Sequence, residues 1–162
     1  MQDLLPQAER AAAILKQRDE TVAVAESSSG GLISAALLAV PGASAYFIGG
    51  SVVYTLKARR ELLKLSDESL KGVRGLTEQL ALIFARAARE RLSVTWAIAE
   101  IGAAGPTGSR YGDPAGTSCI AVAGPVERAL KLQTGIGDRV ENMRRFAGAA
   151  LELLASCLSE PR

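Results

Sequence analysis

The chain has 162 residues, of which 48% are apolar but only 4% are aromatic, so it can form one domain whose core is built from Ala, Leu, Ile and Val. Its 19 basic and 17 acidic residues give a net charge of +2, which is too balanced to favour a nucleic-acid partner. The sequence contains no histidine, which excludes Ser-His-Asp triads, Cys-His dyads and His-ligated metal sites.

Two further compositional features concern the cellular compartment. Cys119 and Cys157 lie far apart without CxxC spacing, as expected for buried thiols in a reducing compartment. There is no apolar run of about 18 residues and no basic segment at the N-terminus, so neither a membrane span nor a secretory signal is expected. We therefore expect a cytoplasmic protein that acts without a membrane, and nothing in the sequence calls for a metal or an organic cofactor.

Hydrophobic periodicity and turn residues divide the chain into alternating elements. In chain order they predict a helix over 4–18, a strand over 21–25, a helix over 30–40, a strand over 46–54, helices over 55–65 and 77–92, strands over 94–101, 117–123 and 128–134, and a helix over 137–158. The last two strands are separated by a short Gly-Pro turn and read as an antiparallel hairpin. The pattern predicts an α/β fold, a three-layer α/β/α sandwich with a mixed sheet, as a single domain over residues 1–162.

The segment Glu-Ser-Ser-Ser-Gly-Gly at residues 26–31 follows the first strand and precedes a helix. Its glycines permit a sharp turn, its serines offer a nucleophile, and a helix start presents unpaired N–H groups to an anion. Alternatively, Ser28 or Ser29 only caps the helix. Residues 54–60 and 102–116 also follow predicted strands, and we expect the three loops to converge at one edge of the sheet.

Without histidine, a serine nucleophile needs another base, and the usual choice is a lysine of lowered pKa, sometimes assisted by a tyrosine. Ser27 would attack an amide carbonyl, and backbone N–H groups from Ser28 to Gly30 would hold the oxyanion. Tyr54 ends a predicted strand and is followed by a basic helix. The tyrosine and the basic side chains that this chemistry requires therefore lie close together in the sequence.

Several ordered segments resemble the CinA C-terminal domain family, the nicotinamide-mononucleotide amidases. Residues 26–31 resemble the family motif E-S-C-T-G-G. Similar segments follow in the family's order: 41–45 (P-G-S-S-A in the family), 50–54 (G-x-V-x-Y), 75–78 (A-V-S-E), 102–106 with 114–117 (G-I-A-G-P and P-V-G-T) and 137–139 (G-D-R). The resemblance extends over nearly the whole chain.

The resemblance implies hydrolysis of the carboxamide of nicotinamide mononucleotide to nicotinate mononucleotide and ammonia. Ser27 would be the nucleophile with Tyr54 beside it, and position 59 would complete the catalytic set. The substrate-binding residues would be Glu26, Ser28, Ser29, Gly30, Gly31, Gly102, Ala104, Gly105, Pro106, Thr107, Gly108 and Arg139. Arg110 is a further candidate for a phosphate contact, although each arginine could equally be a solvated surface residue. The resemblance also implies self-association, and an additional N-terminal domain of longer members is expected to be absent here.

Two positions depart from the family pattern. Arg59 occupies the place of the catalytic lysine, and a guanidinium does not give up its proton to act as a base. Lys57 would replace it only if the helix start were irregular. Ile101 stands where the family has Ser or Thr, directly after Glu100. That glutamate is exposed at the end of the sheet, or pairs with Arg59, or acts as an alternative base.

Three functions stay open from the sequence. The chain is a working amidase for a nucleotide substrate, or a nucleotide-binding module that has lost its catalytic pair, or an enzyme of altered specificity that uses Ser27 with another base.

Overall fold

The computed structural model describes residues 1–161, which form five α-helices and five β-strands after a short 3-10 turn at Gln2–Leu4. The elements are α1 (Leu5–Gln17), β1 (Val22–Glu26), α2 (Leu32–Ala39), β2 (Phe47–Val52), α3 (Leu56–Leu63), α4 (Glu78–Leu92), β3 (Trp96–Ala103), β4 (Thr117–Ala123), β5 (Arg128–Gln133) and α5 (Arg139–Leu158). The expected order of elements is confirmed, and most boundaries shift by one or two residues.

The strands form one mixed sheet in the order β2-β1-β3-β4-β5. Strand β1 pairs in parallel with both β2 and β3, whereas β3–β4 and β4–β5 are antiparallel. The expected hairpin is therefore present as β4 and β5. The parallel half of the sheet brings the ends of β1, β2 and β3 to one edge, where ligands bind in open α/β sheets.

Helix starts in this chain carry side-chain caps at three places. Thr55 accepts a hydrogen bond from Ala58 N at the start of α3, Thr77 accepts from Leu80 N at the start of α4, and Asp138 accepts from Glu141 N at the start of α5. Each cap satisfies a backbone N–H that has no partner inside the helix. The residue types at these three positions thus fix where the helices begin.

Helices cover both faces of the sheet, which confirms the three-layer α/β/α arrangement. Helices α1, α2 and α5 pack on one face around Val22, Val24, Trp96 and Ile98, and α4 packs on the other face over the small residues of β1, β3 and β4. Strands β1 and β4 are buried along their whole length, as expected for central strands covered on both sides. Among the helices of residues 1–161, none is both long and apolar enough to cross a membrane.

Candidate active site

Two buried glutamates lie side by side on neighbouring strands near the edge where the loops converge. Glu26 is the last residue of β1, and it lies opposite Glu100 of β3 in the parallel register. Both side chains are completely buried. Because a buried carboxyl is costly unless its oxygens are hydrogen-bonded, the partners of these two groups determine what each can do.

The Glu26 carboxyl supports the start of α2. It accepts hydrogen bonds from the backbone N–H groups of Gly31, Ile33 and Ser34 at 2.9–3.1 Å, and from the Ser34 hydroxyl at 2.8 Å. An acidic group placed against the N–H groups of a first helical turn is electrostatically favourable. Gly31 itself takes the left-handed conformation with φ of 100°, which a side chain would strain. Glu26 is therefore an internal cap for α2, at a helix start whose N-cap position carries no side chain.

The Glu100 carboxyl holds the serine segment. Its Oε2 atom accepts from Ser27 N at 3.1 Å and Ser29 N at 2.8 Å, while Oε1 accepts from the Ser28 hydroxyl at 2.5 Å and the Ser118 hydroxyl at 3.2 Å. Burial raises the pKa of the Glu100 carboxyl, and the hydrogen bonds from the serine segment partly oppose that rise. The expectation that Glu100 is exposed is wrong, because the register of β3 turns it into the interior against this loop.

The Ser29 hydroxyl lies between the two carboxyls. Its Oγ is 2.8 Å from Glu26 Oε1 and 2.8 Å from Glu100 Oε2. A hydroxyl has one proton, so it donates to one carboxyl, and the other contact is favourable when that second carboxyl carries a proton of its own. Ser29 thus joins Glu26 and Glu100 into one buried hydrogen-bonded cluster.

The backbone N–H groups of the serine segment are largely used inside this cluster. The N–H of Ser29 binds Glu100, and the N–H of Gly30 binds the carbonyl oxygen of Ser27 at 3.1 Å. Of the three amides from Ser28 to Gly30 that the sequence offered to an oxyanion, only that of Ser28 has no partner among residues 1–161. The expected oxyanion pocket of successive amides is therefore wrong for Ser29 and Gly30, because the buried glutamate and the turn itself bind them.

A cavity of about 600 Å³ opens above the serine segment and is bounded by all three loops, as expected. Ser27 and Ser28 line it together with an apolar wall formed by Val53, Leu76, Leu80, Phe84 and Ile101. Three arginines, Arg59, Arg110 and Arg139, also line the cavity, whereas no Asp or Glu of the described chain does. A cavity of this size, lined by apolar and cationic side chains, suits a small anionic ligand.

Arg139 joins two walls of the cavity. As the first residue of α5, it donates from Nη1 to the carbonyl oxygen of Gly105 at 2.6 Å and from Nη2 to the Tyr54 hydroxyl at 3.0 Å. Tyr54 follows β2 and is 59% exposed. The loops after β2 and β3 are thus held at a fixed separation by one guanidinium.

Arg59 lies in the cavity wall but does not bind Glu100. Its Nη2 atom is 2.8 Å from Asp67 Oδ1, its Nε is buried without a hydrogen-bond partner among residues 1–161, and the side chain is 14% exposed. The hypothesis of an Arg59–Glu100 ion pair is wrong. The Arg59 guanidinium pairs with Asp67, and the Glu100 carboxyl accepts its hydrogen bonds from serine residues. Lys57 sits in a regular helix start, is exposed and does not line the cavity, so it does not replace the missing lysine.

Hydrogen bonds from side chains of α5 and β5 hold the loop after β3 in position. Buried Asn142 donates to the carbonyl oxygens of Ala104 and Ile136, each at 2.8 Å. Asp113 accepts from Lys131 Nζ at 2.9 Å and from the Ser109 hydroxyl at 2.8 Å. The cation and the hydroxyl hold the pKa of the Asp113 carboxyl below its usual value. These bonds give the glycine-rich wall of the cavity a defined position.

The structure divides the sequence-predicted site residues into three groups. Those that line the cavity are Ser27, Ser28, Tyr54, Arg59, Gly102, Ala104, Gly105, Thr107, Gly108 and Arg139. Glu26 and Ser29 lie buried beneath it, and Gly30, Gly31 and Pro106 lie outside its lining.

Sequence reasoning missed other residues of the site. The apolar wall contributed by α4, which includes Leu80 and Phe84, was not predicted. Helical spacing shows which residues of a helix face the core, but not which of those residues border a cavity. Ser118 was also missed. Its signal was a hydroxyl at the polar start of a mostly apolar strand, opposite Gly102 in the β3–β4 register.

Comparisons with known proteins agree with this fold. The sequence model described as the CinA C-terminal domain matches residues 5–158. A CinA-like protein of Salinibacter ruber is 36% identical over 145 residues, which cover 90% of this chain and 35% of that protein. A CinA-like protein of Prochlorococcus marinus is 44% identical over 112 residues, which cover 69% of this chain and 26% of that protein. The chain thus spans about a third or less of the length of these relatives.

Solved structures give the same result. The crystal structure of the competence/damage inducible protein CihA from Agrobacterium tumefaciens has a TM-score of 0.88 at 31% identity, and the match covers 98% of this chain and 96% of that one. A CinA superfamily protein from Klebsiella pneumoniae has a TM-score of 0.89 at 26% identity, covering 96% of this chain and 98% of that one. With a family match along almost its entire length and the same fold in these structures, this chain belongs to the CinA C-terminal domain family.

Proposed function

We propose that this chain is an amidohydrolase that removes ammonia from the carboxamide of a small nucleotide of the nicotinamide mononucleotide type. The observation that carries the proposal is the composition of the cavity, which is lined by two serines of the 26–31 segment and three arginines but by no carboxylate of residues 1–161. Such a cavity favours a substrate with an anionic group and an electrophilic carbonyl.

The apolar wall and the arginines suit the two ends of such a substrate. Phe84, Leu80 and Ile101 offer a surface for an aromatic ring, while Arg139 and Arg110 offer guanidinium groups for a phosphate. Arg139 is pre-positioned by its bonds to Gly105 and Tyr54, so little side-chain entropy is lost on binding. A serine hydroxyl of the cluster would attack the carboxamide carbon, release ammonia and leave an acyl-enzyme that water hydrolyses to the carboxylate.

Ammonia release from nicotinamide mononucleotide tests the proposal directly. We expect release that is lost when Ser27 and Ser28 are both changed to Ala, and that is much weaker with nicotinamide riboside, which keeps the carboxamide but lacks the phosphate. Absence of release from the mononucleotide by the unsubstituted chain would contradict the proposal. Equal rates with the mononucleotide and the riboside would contradict the phosphate contact.

A second candidate function is a nucleotide-binding module without turnover. The observation that favours it is Arg59, which stands at the position of the family's lysine and is paired with Asp67 rather than with a serine. Calorimetric titration with nicotinamide mononucleotide distinguishes the two. Binding without ammonia release favours the module, whereas release at a rate above the double-serine variant favours the amidohydrolase.

A further inference from the structure

The two serines that line the cavity differ in what their hydroxyl groups contact. Ser28 Oγ lies 2.5 Å from Glu100 Oε1. For Ser27 Oγ, no hydrogen-bond partner is found within residues 1–161, and its main-chain N–H binds Glu100 instead. Activation of a serine requires an acceptor that takes the hydroxyl proton. Of these two serines, Ser28 is the one that has such an acceptor in place.

The two oxygens of Glu100 have separate surroundings. Oε2 is fixed by two backbone N–H groups, from Ser27 and Ser29. Oε1 faces the Ser28 hydroxyl, and its other neighbour, the Ser118 hydroxyl, shares its single proton with the carbonyl oxygen of Ile101 at 3.1 Å. One oxygen therefore orients the carboxyl, and the other is available to take a proton from Ser28. This division of roles is what a general base requires.

We propose that Ser28 is the nucleophile of this chain and that Glu100 is its general base, replacing the serine–lysine pair implied by the family motif. The proposal rests on the proposed amide hydrolysis. As Ser28 Oγ forms its bond to the carboxamide carbon, its proton moves to Glu100 Oε1 and the carbonyl π electrons move onto oxygen. When the oxyanion collapses, the C–N bond breaks and Glu100 returns the proton to the departing nitrogen, which leaves as ammonia.

The second half of the cycle uses the same carboxylate. Glu100 takes a proton from water, the hydroxide oxygen bonds to the acyl carbon, and the ester bond to Ser28 Oγ breaks as that oxygen regains the proton. The sum is amide plus water giving carboxylic acid plus ammonia. The N–H of Ser28, which has no partner within residues 1–161, is available for the oxyanion.

The surroundings of the pair agree with this role. Ser28 is 5% exposed and lines the cavity, so its hydroxyl is shielded from bulk water yet borders the substrate space. Gly102 makes room for the contact, because a Cβ there would lie 2.5 Å from Ser28 Oγ and 2.9 Å from Glu100 Oε1. Burial of a carboxyl makes it a stronger base than an exposed one, and strongly perturbed carboxyls cluster at functional sites.

Covalent labelling with phenylmethanesulfonyl fluoride tests the pair without depending on the identity of the substrate. In this reaction the serine oxygen bonds to sulfur, fluoride leaves, and the proton goes to the base. Peptide mapping by mass spectrometry of the unsubstituted chain is expected to find the label on Ser28. Ser27→Ala should still carry the label at Ser28, Ser28→Ala should carry none, and Glu100→Gln should be labelled about 100-fold more slowly.

The matched control for the loss of charge is Glu127→Gln. Glu127 pairs with Arg86 and does not line the cavity. The labelling rate of this variant should equal that of the unsubstituted chain. A label on Ser27, or on neither serine, overturns the proposal, as does an unchanged rate in Glu100→Gln. If Ser28 is labelled but no ammonia is released from nicotinamide mononucleotide, the proposed function fails and the Ser28–Glu100 pair stands. Because the site is mapped in the unsubstituted chain, a variant that fails to fold leaves the test intact.

Discussion

The guanidinium of Arg59 is turned toward Asp67, with 2.8 Å between Nη2 and Oδ1. Among residues 1–161 no hydrogen bond joins Arg59 to a serine hydroxyl, and the pairing with Asp67 holds the guanidinium as a cation in the cavity wall. A guanidinium stays protonated throughout the physiological range, so Arg59 contributes charge and geometry rather than proton transfer.

Arg59→Lys distinguishes a chain that has lost its base from one that uses Glu100. If Glu100 is the base, a lysine at position 59 adds nothing to the proton transfer, and we expect kcat for ammonia release to be no higher than in the unsubstituted chain. KM should rise several-fold, because Arg59 lines the cavity and an ammonium group does not keep the position against Asp67 that the planar guanidinium has. Steady-state kinetics measures both quantities.

The control for Arg59→Lys is Arg60→Lys. Arg60 also binds Asp67, but it does not line the cavity, so its substitution should leave both constants unchanged. A gain of activity in Arg59→Lys would mean that the family's lysine had been the missing base, and would contradict the role assigned to Glu100.

Arg139→Gln tests the cationic wall. The change removes a charged donor and the link between Gly105 and Tyr54, and charge-assisted hydrogen bonds are stronger than neutral ones. We expect KM for nicotinamide mononucleotide to rise about tenfold or more, which corresponds to about 1.4 kcal/mol of binding free energy. KM for nicotinamide riboside should change much less, because that compound has no phosphate.

Arg145→Gln is the matched control on the same helix, since Arg145 is exposed, pairs with Glu141 and lies outside the cavity lining. Its KM should stay within twofold of the unsubstituted chain. An equal rise of KM for both compounds in Arg139→Gln would show that Arg139 acts on the shape of the cavity rather than on the phosphate.

The order of elements and the convergence of three loops could be predicted from sequence because both depend on local signals. Alternating apolar residues, capping threonines and glycine turns each act within a few positions, and the carboxyl ends of parallel strands meet at one edge by geometry. The hairpin of β4 and β5 followed from its short turn in the same way.

The partners of Glu100 could not be predicted in that way. They depend on the register between β1 and β3, which sets Glu100 opposite Glu26 and under the serine segment. A sequence does not state the register of two strands separated by some 70 residues, and a shift of one position would turn Glu100 to the other face of the sheet. The same long-range pairing explains why the amide of Ser29 is occupied although the motif suggested that it was free, whereas the amide of Gly30 is bound within the turn by the carbonyl oxygen of Ser27.

Gly102→Ala tests whether the contact between Ser28 and Glu100 needs an empty space beside it. The added methyl group would lie 2.5 Å from Ser28 Oγ and 2.9 Å from Phe146 Cε2, distances that require neighbouring atoms to move. We expect ammonia release and sulfonyl labelling to fall at least tenfold, since small displacements of reacting groups are costly to catalysis. Thermal unfolding should shift downward as well, because the cluster is buried.

Gly137→Ala provides the comparison, as a Cβ there has no heavy atom within 4 Å and the glycine does not have a positive φ. Its labelling rate should match that of the unsubstituted chain. Full labelling in Gly102→Ala would indicate that the loop adjusts freely, which contradicts a tightly positioned Ser28–Glu100 pair.

Glu100→Gln provides a test of the buried carboxyl that is independent of any substrate. Because burial raises the pKa of Glu100 in the folded protein above its ordinary value of 4.5, the folded chain binds this proton more tightly than the unfolded chain does. The resulting stabilisation is complete below pH 4.5 and is lost as pH rises through the raised pKa. Glutamine cannot ionise, so the difference in unfolding free energy should shift in favour of Glu100→Gln with rising pH, by up to about 1.4 kcal/mol per pH unit.

Urea denaturation of both proteins at several pH values between 4 and 8 measures this difference and cancels the titration of groups that they share. Glu127→Gln serves as a control of opposite sign, since Arg86 lowers the pKa of the Glu127 carboxyl and that stabilisation is lost as pH falls. A pH-independent difference between Glu100→Gln and the unsubstituted chain would mean that Glu100 keeps an ordinary pKa, and the argument that burial strengthens it as a base would fail.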